Sequence, residues 1–334
     1  MGLQYKGQKN MKSIAIIGAG QLGSRHLQGL AKSNIRISIE IVDPLVNSRS
    51  TAEQRIQEMP KNKNVDQISY YENISQLSKN LDFVIVATNA DVRHEVVGEL
   101  LENKNIKYLV LEKVLFQRIE EYFKVAKLLK SKNTICWVNH TRRMFPLYQR
   151  LKEKFSKTSS INFSVSGGAW GLGCNGLHFL DCMQYLTGSN DIFFNTKFLH
   201  KALYNSKRSG FKELNGLPTG RIAKHTFCIN CFAEEQSPVQ FNITSSDVNI
   251  LIDEANGWFR ISEKNNNWEN EIKEEKIVYF QSELTNILVE NVFSNNCDLP
   301  KYKEAMNLHI QYLKVLLEHI NSFSESEYNF CPIT

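Results

Sequence analysis

The sequence predicts a two-domain α/β protein, with a parallel sheet in the first domain and many antiparallel strands in the second. The chain has 334 residues, more than the roughly 100–200 residues of an ordinary domain. Strand and helix patterns alternate over the first 140 residues, which indicates βαβ units and a parallel sheet. Residues 191–282 are mostly strand-like, and 239–244 alternate apolar and polar side chains as half-buried antiparallel strands do.

In the first domain, apolar runs predict strands and helical spacing predicts the helices between them. The predicted strands cover 13–17, 37–42, 83–87, 108–111 and 134–138, and the predicted helices cover 21–32, 92–102 and 118–129. Asp91 immediately precedes the second of these helices and is expected to be its N-cap. This order of elements is typical of a doubly wound sheet.

In the second domain, the pattern predicts two helices and several strands. The strands are expected over 161–165, 225–232, 239–244, 248–253 and 258–261, and the helices over 175–186 and 302–320. Gly188 is expected to close the first helix, and Asn256-Gly257 is a hairpin turn signal. We therefore expect a polar leader at 1–11, a first domain at 12–140 and a second domain at 141–334, and we expect residues 1–10 to be inessential.

Composition argues against several classes of function. The net charge of +5 is spread along the chain without a dense basic block, so no nucleic-acid partner is expected. No apolar run approaches the ~18 residues of a membrane span. Seven cysteines without a signal peptide favour a reducing cytoplasm. Cys228 and Cys231 lie three apart on a predicted strand and so on opposite faces, and no metal site is expected.

A glycine-rich loop follows the first predicted strand and opens the first helix. It reads Gly18-Ala-Gly20-Gln21-Leu22-Gly23, a G-x-G-x-x-G in the context that binds dinucleotides. Gly18 would permit a tight turn, Gly20 would let backbone amides approach a pyrophosphate, and Gly23 would let the helix pack on the strand. The helix N-terminus would favour the phosphate charge, so we expect a Rossmann domain.

Asp43 ends the next strand, 20 residues after Gly23. A carboxylate at this place accepts ribose hydroxyls and repels a 2′-phosphate, which favours NAD over NADP. Ser48 and Arg49 follow closely and leave NADP open. The alternative is that Asp43 is only a turn residue ahead of Pro44.

The chain resembles the Gfo/Idh/MocA family, the glucose-fructose oxidoreductase and inositol dehydrogenase superfamily. The matching segments are Gly18–Leu27 with His26, Val86-Ala-Thr88-Asn89 with His94, Leu111-Glu112-Lys113 and Gly176-Leu-His178-Phe-Leu-Asp181 with Leu186 and Gly188. The resemblance implies that the second domain is an α/β domain on a large, open, mainly antiparallel sheet, whose outer face often mediates homodimers or homotetramers. It also adds Gln21, Leu22, Thr88, Asn89, Glu112 and Lys113 to the expected cofactor-binding residues.

The resemblance makes Lys113 and His178 the expected catalytic residues. The lysine would stabilise a developing alkoxide, and the histidine would accept the hydroxyl proton. Val114 replaces the proline of the family's E-K-P signature. Since a non-proline cis bond costs ~3 kcal/mol, a trans bond or local strain is expected there.

Family members often carry an aspartate where this chain has Cys174. Either Asn175 takes over its hydrogen-bonding role, or the substrate differs from inositol-like polyols. Asp181 lies one turn after His178 and would orient it or bond to backbone. Arg142 and Arg143 would suit a substrate carboxylate or phosphate, or form a surface pair. Trp170 would stack on a sugar ring, or lie in the core.

The expected function is hydride transfer between NAD, or NADP, and a hydroxyl carbon of a sugar, nucleotide sugar or cyclitol. Cys331–Thr334 resembles the end of members encoded with bacterial surface-polysaccharide genes, which suggests that biosynthetic setting. Two alternatives stay open, namely a catalyst that reduces and reoxidises tightly held NAD in one turnover, and a regulatory protein that binds dinucleotide and sugar without turnover.

Overall fold

The structure is a computed structural model and describes residues 11–155, 160–233 and 237–334. The leader predicted at 1–11 lies outside these ranges except for Met11. None of the helices in the described ranges is both long and apolar enough to cross a membrane.

The first part of the chain alternates strands and helices as its sequence predicts. The strands are β1 (Lys12–Ile17), β2 (Ile37–Val42), β3 (Val65–Tyr71), β4 (Asn80–Val86), β5 (Asn105–Leu111) and β6 (Ile135–Val138). The helices are α1 (Gln21–Leu30), α2 (Val46–Gln57), α3 (Ala90–Asn103) and α4 (Ile119–Ser131). All five predicted strands and all three predicted helices are present.

The second part contains most of the strands. The helices are α5 (Pro146–Phe155), α6 (Leu172–Thr187), α7 (Gln281–Phe293) and α8 (Tyr302–Asn321). The strands are β7 (Ile161–Gly168), β8 (Ile192–Leu199), β9 (Tyr204–Asn205), β10 (Lys212–Glu213), β11 (Gly216–Ile222), β12 (His225–Phe232), β13 (Gln240–Ser245), β14 (Val248–Asp253), β15 (Trp258–Glu263) and β16 (Asn270–Glu274).

The described chain forms two compact units. The first takes in the chain up to Glu112 together with Val125–Trp137 and Phe280–Cys297. Its six strands lie in the order β3-β2-β1-β4-β5-β6, and the pairings of β1, β2, β3, β4 and β5 are parallel. This is the order expected of the Rossmann fold, in which successive strands are added on one side of β1 and then, from β4 onward, on its other side.

Helix α7 belongs to this first unit although it comes late in the chain. It packs on α1, where a Cβ on Gly29 would lie 2.7 Å from the Gln281 carbonyl oxygen and from the Thr285 Cβ. The absence of a side chain at Gly29 therefore lets the two helices approach closely. The Phe293 ring at the end of α7 contacts Phe83 at 6.3 Å between centroids.

The second unit comprises Lys113–Lys124, Val138–Tyr279 and Asp298–Thr334. Its eight-stranded sheet has the order β16-β15-β14-β13-β7-β12-β11-β8. Only the β7–β12 pairing is parallel among those described, and the others are antiparallel. Helices α6 and α8 pack against this sheet. The prediction of a large, mainly antiparallel sheet is confirmed.

The local signals were accurate at several termini. Gly188 closes α6 with a φ of +66°, and Gly257 in the β14–β15 hairpin has a φ of +68°, both left-handed values that favour glycine. The N-cap of α3 was predicted two residues too late, at Asp91 instead of Asn89. The helix begins at Ala90 after Asn89, and Asp91 lies in its first turn, because Ala90 is small and buried and continues the helix.

Helices α2, α5 and α7 and strand β3 were not predicted. In α2 only Ala52 is buried, so its sequence lacks the apolar period that indicates a helix. Strand β3 is half-buried at the sheet edge, where alternation is weak. Helix α7 carries few charges, and its pattern merged with the strand-rich region before it.

The two cysteines of the C-x-x-C sequence lie on opposite sides of β12, as predicted. The Cys231 thiol is buried beside Asn215 Oδ1 at 3.1 Å, whereas the partly buried Cys228 thiol lies 3.3 Å from Ser164 Oγ. All seven cysteines, each within the described ranges, are free thiols.

Candidate active site

The glycine loop of the first unit has the geometry that its sequence predicts. Gly18 has a φ of +91°, a conformation that glycine adopts without strain. A Cβ on Gly23 would lie 1.7 Å from the Gly18 carbonyl oxygen, whereas a Cβ on Gly20 would have no neighbour within 4 Å. Gly23 therefore lets helix and strand meet, and Gly20 faces open space where a ligand can approach the backbone.

Asp43 holds this loop in place. Its Oδ2 accepts a hydrogen bond from the Ala19 N–H at 2.7 Å, and its Oδ1 accepts one from the Leu45 N–H at 2.9 Å. The side chain is therefore a turn residue as well as a candidate ribose ligand. Arg49 is engaged nearby, since it donates to the Asp43 carbonyl oxygen and pairs with Glu72 at 2.9 Å.

The remaining groups around the loop fit a dinucleotide. Gly20 is the N-cap of α1 and makes no side-chain hydrogen bond, so the N–H groups of Gln21 and Leu22 begin the helix without a side-chain acceptor. Thr88 Oγ1 is buried and has no hydrogen-bond partner among the described residues. The neighbouring Asn89 is exposed. An uncapped helix N-terminus and an orphaned hydroxyl are groups that a phosphate or ribose would satisfy.

Glu112 lies in the interior of the first unit. Its Oε1 is 3.0 Å from His26 Nε2, and His26 Nδ1 is 2.9 Å from Thr285 Oγ1. Both side chains are buried. The sequence predicts a cofactor contact for Glu112, and the contact that the structure shows is a bond that ties β5 to α1 and α7.

A cavity of about 470 Å³ lies entirely within the second unit and brings together four of the predicted site residues. Lys113, Trp170, Cys174 and Asn175 line it, together with polar groups from the segment 204–215. The Trp170 indole N–H donates to the Asn230 carbonyl oxygen at 3.0 Å, so the ring is anchored at the wall. The size and the mixed polar and aromatic lining suit a small polar ligand.

Lys113 is partly buried at this cavity. Its Nζ is 2.8 Å from the Cys174 Sγ and 3.4 Å from the Asn175 Oδ1, to which it donates. The Lys113–Val114 peptide bond is cis, so the expectation of a trans bond was wrong. Val114 is completely buried.

His178 follows Cys174 by one turn of α6 and does not line the cavity. Its Nδ1 is buried without a hydrogen-bond partner in the described part of the chain. Burial, and after it the nearby charge of Lys113, hold the pKa of His178 well below its usual value. The His140 ring lies 5.5 Å away, edge to face. The imidazole is therefore neutral at physiological pH.

Arg142, Arg143 and Asp181 take part in buried ion pairs away from the cavity. Arg142 forms a two-pronged pair with Glu254 at 2.8 and 2.5 Å. Arg143 binds both oxygens of Asp181 at 2.9 and 2.7 Å and also pairs with Glu304. Burial raises the pKa of Asp181, although Arg143 opposes the shift. Asp181 is therefore paired with Arg143 rather than with His178.

Sequence reasoning missed Glu213, which also lines the cavity. Its Oε2 accepts a hydrogen bond from the Cys174 N–H at 3.2 Å. Glu213 lies on the short strand β10, 39 residues after Cys174, in a stretch without a motif. The two glycines at the start of α6, Gly171 and Gly173, were the available signal, since they leave room for a group against the helix N-terminus.

The fold and the glycine loop together define the class of protein. It is a protein with an oxidoreductase-type Rossmann domain and a second α/β unit. Residues 12–140 match the oxidoreductase family described as having an NAD-binding Rossmann fold, GFO_IDH_MocA. This match covers the first domain and fewer than half of the residues of the chain. No curated protein matches the sequence.

Several solved structures share the fold over nearly the whole chain. A super-repressor mutant of Gal80p from Saccharomyces cerevisiae has 14% identity and a TM-score of 0.71, with 94% of this chain and 97% of that chain covered. The UDP-N-acetylglucosamine 3-dehydrogenase GnnA from Acidithiobacillus ferrooxidans has 14% identity, a TM-score of 0.65 and coverages of 94% and 99%. An Agrobacterium radiobacter oxidoreductase in complex with NAD+, L-tartaric acid and magnesium has 11% identity, a TM-score of 0.69 and coverages of 94% and 97%.

Proposed function

We propose that this protein is an NAD-dependent dehydrogenase that oxidises or reduces one hydroxyl-bearing carbon of a sugar, nucleotide sugar or cyclitol. The observation that carries the proposal is the cavity of the second unit, where the Lys113 ammonium group is held among polar side chains and a tryptophan. A cation in a partly buried polar cavity is suited to stabilise an alkoxide. Structural relatives include a dehydrogenase that acts on UDP-N-acetylglucosamine.

The dinucleotide would be held by the first unit. The open face at Gly20, the N-terminus of α1 and the orphaned Thr88 hydroxyl would take the phosphates and ribose. Asp43 keeps lone pairs for a ribose hydroxyl after accepting two backbone N–H groups. Arg49 is already paired with Glu72, so its guanidinium is not dedicated to a 2′-phosphate. We therefore propose NAD rather than NADP.

Two residues of the second unit would carry the proton chemistry. When bound, NAD supplies the carbon that takes or returns the hydride. Lys113 Nζ would donate to the oxygen of the reacting hydroxyl and stabilise its negative charge. His178, neutral because its pKa is lowered, would accept the hydroxyl proton. Cys174 and Asn175 would position Lys113 through the contacts at 2.8 and 3.4 Å.

The roles proposed for the other predicted residues follow from their contacts. Trp170 would form the apolar wall against a sugar ring. Arg142, Arg143 and Asp181 would be structural, because their charges are neutralised by buried partners. A substrate anion would then be bound by Lys207 and Arg208, two exposed cations at the cavity, rather than by the arginine pair.

The test is a thermal-shift screen of sugars, sugar phosphates and nucleotide sugars with NAD present, followed by hydride transfer measured from the absorbance of reduced nicotinamide. The expected result is a compound that raises the melting temperature only with NAD and is turned over. Tight NAD and sugar binding without turnover of any compound would contradict the proposal and support a regulatory binding protein. A bound NAD that cycles without free reduced product would support the internal redox alternative.

The outer face of the eight-stranded sheet is the surface that we propose for self-association. It exposes Phe193 and Phe232, each more than half accessible, among polar side chains. A homodimer or homotetramer through this face would cover them. Sedimentation of the wild-type chain and of a Phe193→Asp, Phe232→Asp variant tests this, and an unchanged oligomeric state would contradict it. A cytoplasmic enzyme without a nucleic-acid or membrane partner remains our expectation.

A further inference from the structure

Among the described residues that line the cavity, only Glu213 has a carboxylate side chain. It is carried by the hairpin of β9 and β10, in which Lys212 and Glu213 pair with Asn205 and Tyr204. The hairpin is tied down because the Lys212 N–H donates to the Pro332 carbonyl oxygen at 2.7 Å. Glu213 is partly buried, so its position is set by the surrounding structure rather than by solvent.

Two glycines leave space for this carboxylate. A Cβ on Gly171 would lie 3.0 Å from Glu213 Oε1, and a Cβ on Gly173 would lie 2.9 Å from Oε2. A side chain at either position would crowd the carboxylate in its present place, and the two glycines avoid this. The Cys174 N–H then donates to Oε2 at 3.2 Å.

The surroundings of Glu213 leave it with unused capacity for hydrogen bonds. A carboxylate has about four lone-pair positions. The backbone N–H groups of Cys174, Gly173 and Leu214 engage Glu213, which leaves about one position for a ligand. Burial raises the pKa of Glu213 above its usual value, although the Cys174 N–H and Lys113 oppose the shift. A partly buried carboxylate with a raised pKa at the wall of a cavity has the features of a ligand-binding group.

The same helix end places Lys113 beside Cys174. The lysine ammonium is 2.8 Å from the Cys174 Sγ, and Glu213 binds the N–H of the same residue. A cation and a carboxylate therefore flank one residue at the wall of one cavity. A ligand with two adjacent hydroxyl groups matches this pair, because one hydroxyl oxygen accepts from the cation and the other hydroxyl donates to the carboxylate.

We propose that Glu213 is the substrate-recognition carboxylate of this enzyme and accepts a hydrogen bond from the hydroxyl next to the reacting one. This inference rests on the proposed function and assigns it a substrate class, a vicinal diol on a sugar or cyclitol ring. Cys174 on α6 is a thiol and cannot accept such a bond with a negative charge. Glu213 would supply the carboxylate instead.

The test combines Glu213→Gln with monodeoxy analogues of the sugar that the screen selects. Glutamine preserves the shape of the side chain and can still accept from the Cys174 N–H, but it removes the charge. The wild type is expected to lose at least tenfold in kcat/KM on one monodeoxy analogue, and Glu213→Gln is expected to lose about as much on the parent sugar. The two losses together should be far from additive, since they remove the same bond.

Two further variants separate recognition from a structural role. Cys174→Asp in the Glu213→Gln background returns a carboxylate to the cavity wall and is expected to restore part of the lost kcat/KM. Glu271→Gln on exposed β16 is the matched control and should behave like the wild type. Because the raised pKa means that ionised Glu213 costs stability above that pKa, Glu213→Gln should be at least as stable as the wild type at pH 8.

Three outcomes overturn the proposal. The first is that Glu213→Gln leaves kcat/KM and the discrimination between deoxy sugars unchanged. The second is that it lowers activity and melting temperature together. The third is that its effect adds to that of every deoxy position. If the wild type binds sugars without turnover, the proposed function fails, and the same cycle measured by calorimetry on sugar binding still decides the role of Glu213.

Discussion

Two histidines, His26 in the first unit and His178 in the second, differ in how their ring nitrogens are bonded. His26 on α1 has a partner at each ring nitrogen, Glu112 Oε1 at 3.0 Å and Thr285 Oγ1 at 2.9 Å. His178 on α6 has a buried Nδ1 without a partner among the described residues, and its pKa is well below its usual value.

The difference distinguishes a histidine with a structural role from a candidate catalytic histidine. Satisfied buried polar groups stabilise a fold, because leaving them unpaired would cost free energy. A perturbed and incompletely bonded group is the pattern of a functional site. The first unit offers the open backbone of the glycine loop and the Thr88 hydroxyl, whereas the second unit contains the cavity beside Lys113.

The largest effects are expected at the two proposed catalytic residues. Lys113→Ala and His178→Ala should each lower turnover by about 10²-fold or more, while NAD affinity, which depends on the first unit, stays nearly the same. The double variant should lose much less than the product of both. Steady-state absorbance of reduced nicotinamide measures this, with Lys314→Ala on the exposed side of α8 as the control. An unchanged rate in His178→Ala would remove it from the mechanism.

The comparison of the two histidines is tested directly by stability. His26→Ala should lower the free energy of unfolding by about 2 kcal/mol more than His178→Ala does, because it breaks two buried hydrogen bonds. Both variants lose the same volume, so each controls for the other. Urea unfolding at pH 8 gives the two values. Equal losses would show that the two histidines have the same structural role.

The cofactor preference should change by a smaller factor. Asp43→Asn keeps an oxygen for the Ala19 N–H but removes the charge that repels a 2′-phosphate. The ratio of the NADP to the NAD dissociation constant should fall by about tenfold, or 1.4 kcal/mol, as measured by calorimetry. The partly exposed pair of Lys12 with Asp82 offers a control in Asp82→Asn. Tighter binding of NADP by the wild type would refute the assignment of Asp43.

Acid should destabilise the protein partly through His178. Its folded pKa is lowered, so the unfolded chain binds the proton first as the pH falls below about 6.5. The stability penalty is therefore absent above that pH and grows between it and the lower folded pKa. His178→Gln should reduce the number of protons taken up on unfolding by up to one. An identical pH dependence of urea midpoints would argue against the lowered pKa.

The smallest effect is expected at Cys174. Cys174→Ser keeps a group that accepts from Lys113 and should change turnover by about threefold or less, under 1 kcal/mol. Alkylation by iodoacetamide should be far more harmful, because it adds bulk at the cavity. If the serine variant were inactive, the thiol itself would have a role in the chemistry.

The local sequence determined the Rossmann loop, because Gly18, Gly20 and Gly23 act on backbone atoms within a single strand–turn–helix. It also determined that Cys228 and Cys231 face apart, since alternation along a strand is a property of the strand itself. Lys113 and Cys174 were identified through resemblance, and the structure shows that they meet.

Only the tertiary structure decided which charges are free to act. Nothing near Arg142 in the sequence indicates Glu254, 112 residues later, which neutralises it. Likewise, Glu213 reaches Cys174 only because β10 is held against the start of α6, and α7 joins the first unit only because Gly29 admits it. Pairing between residues so far apart in the sequence depends on how helices and strands pack. The sequence next to each partner therefore does not predict it.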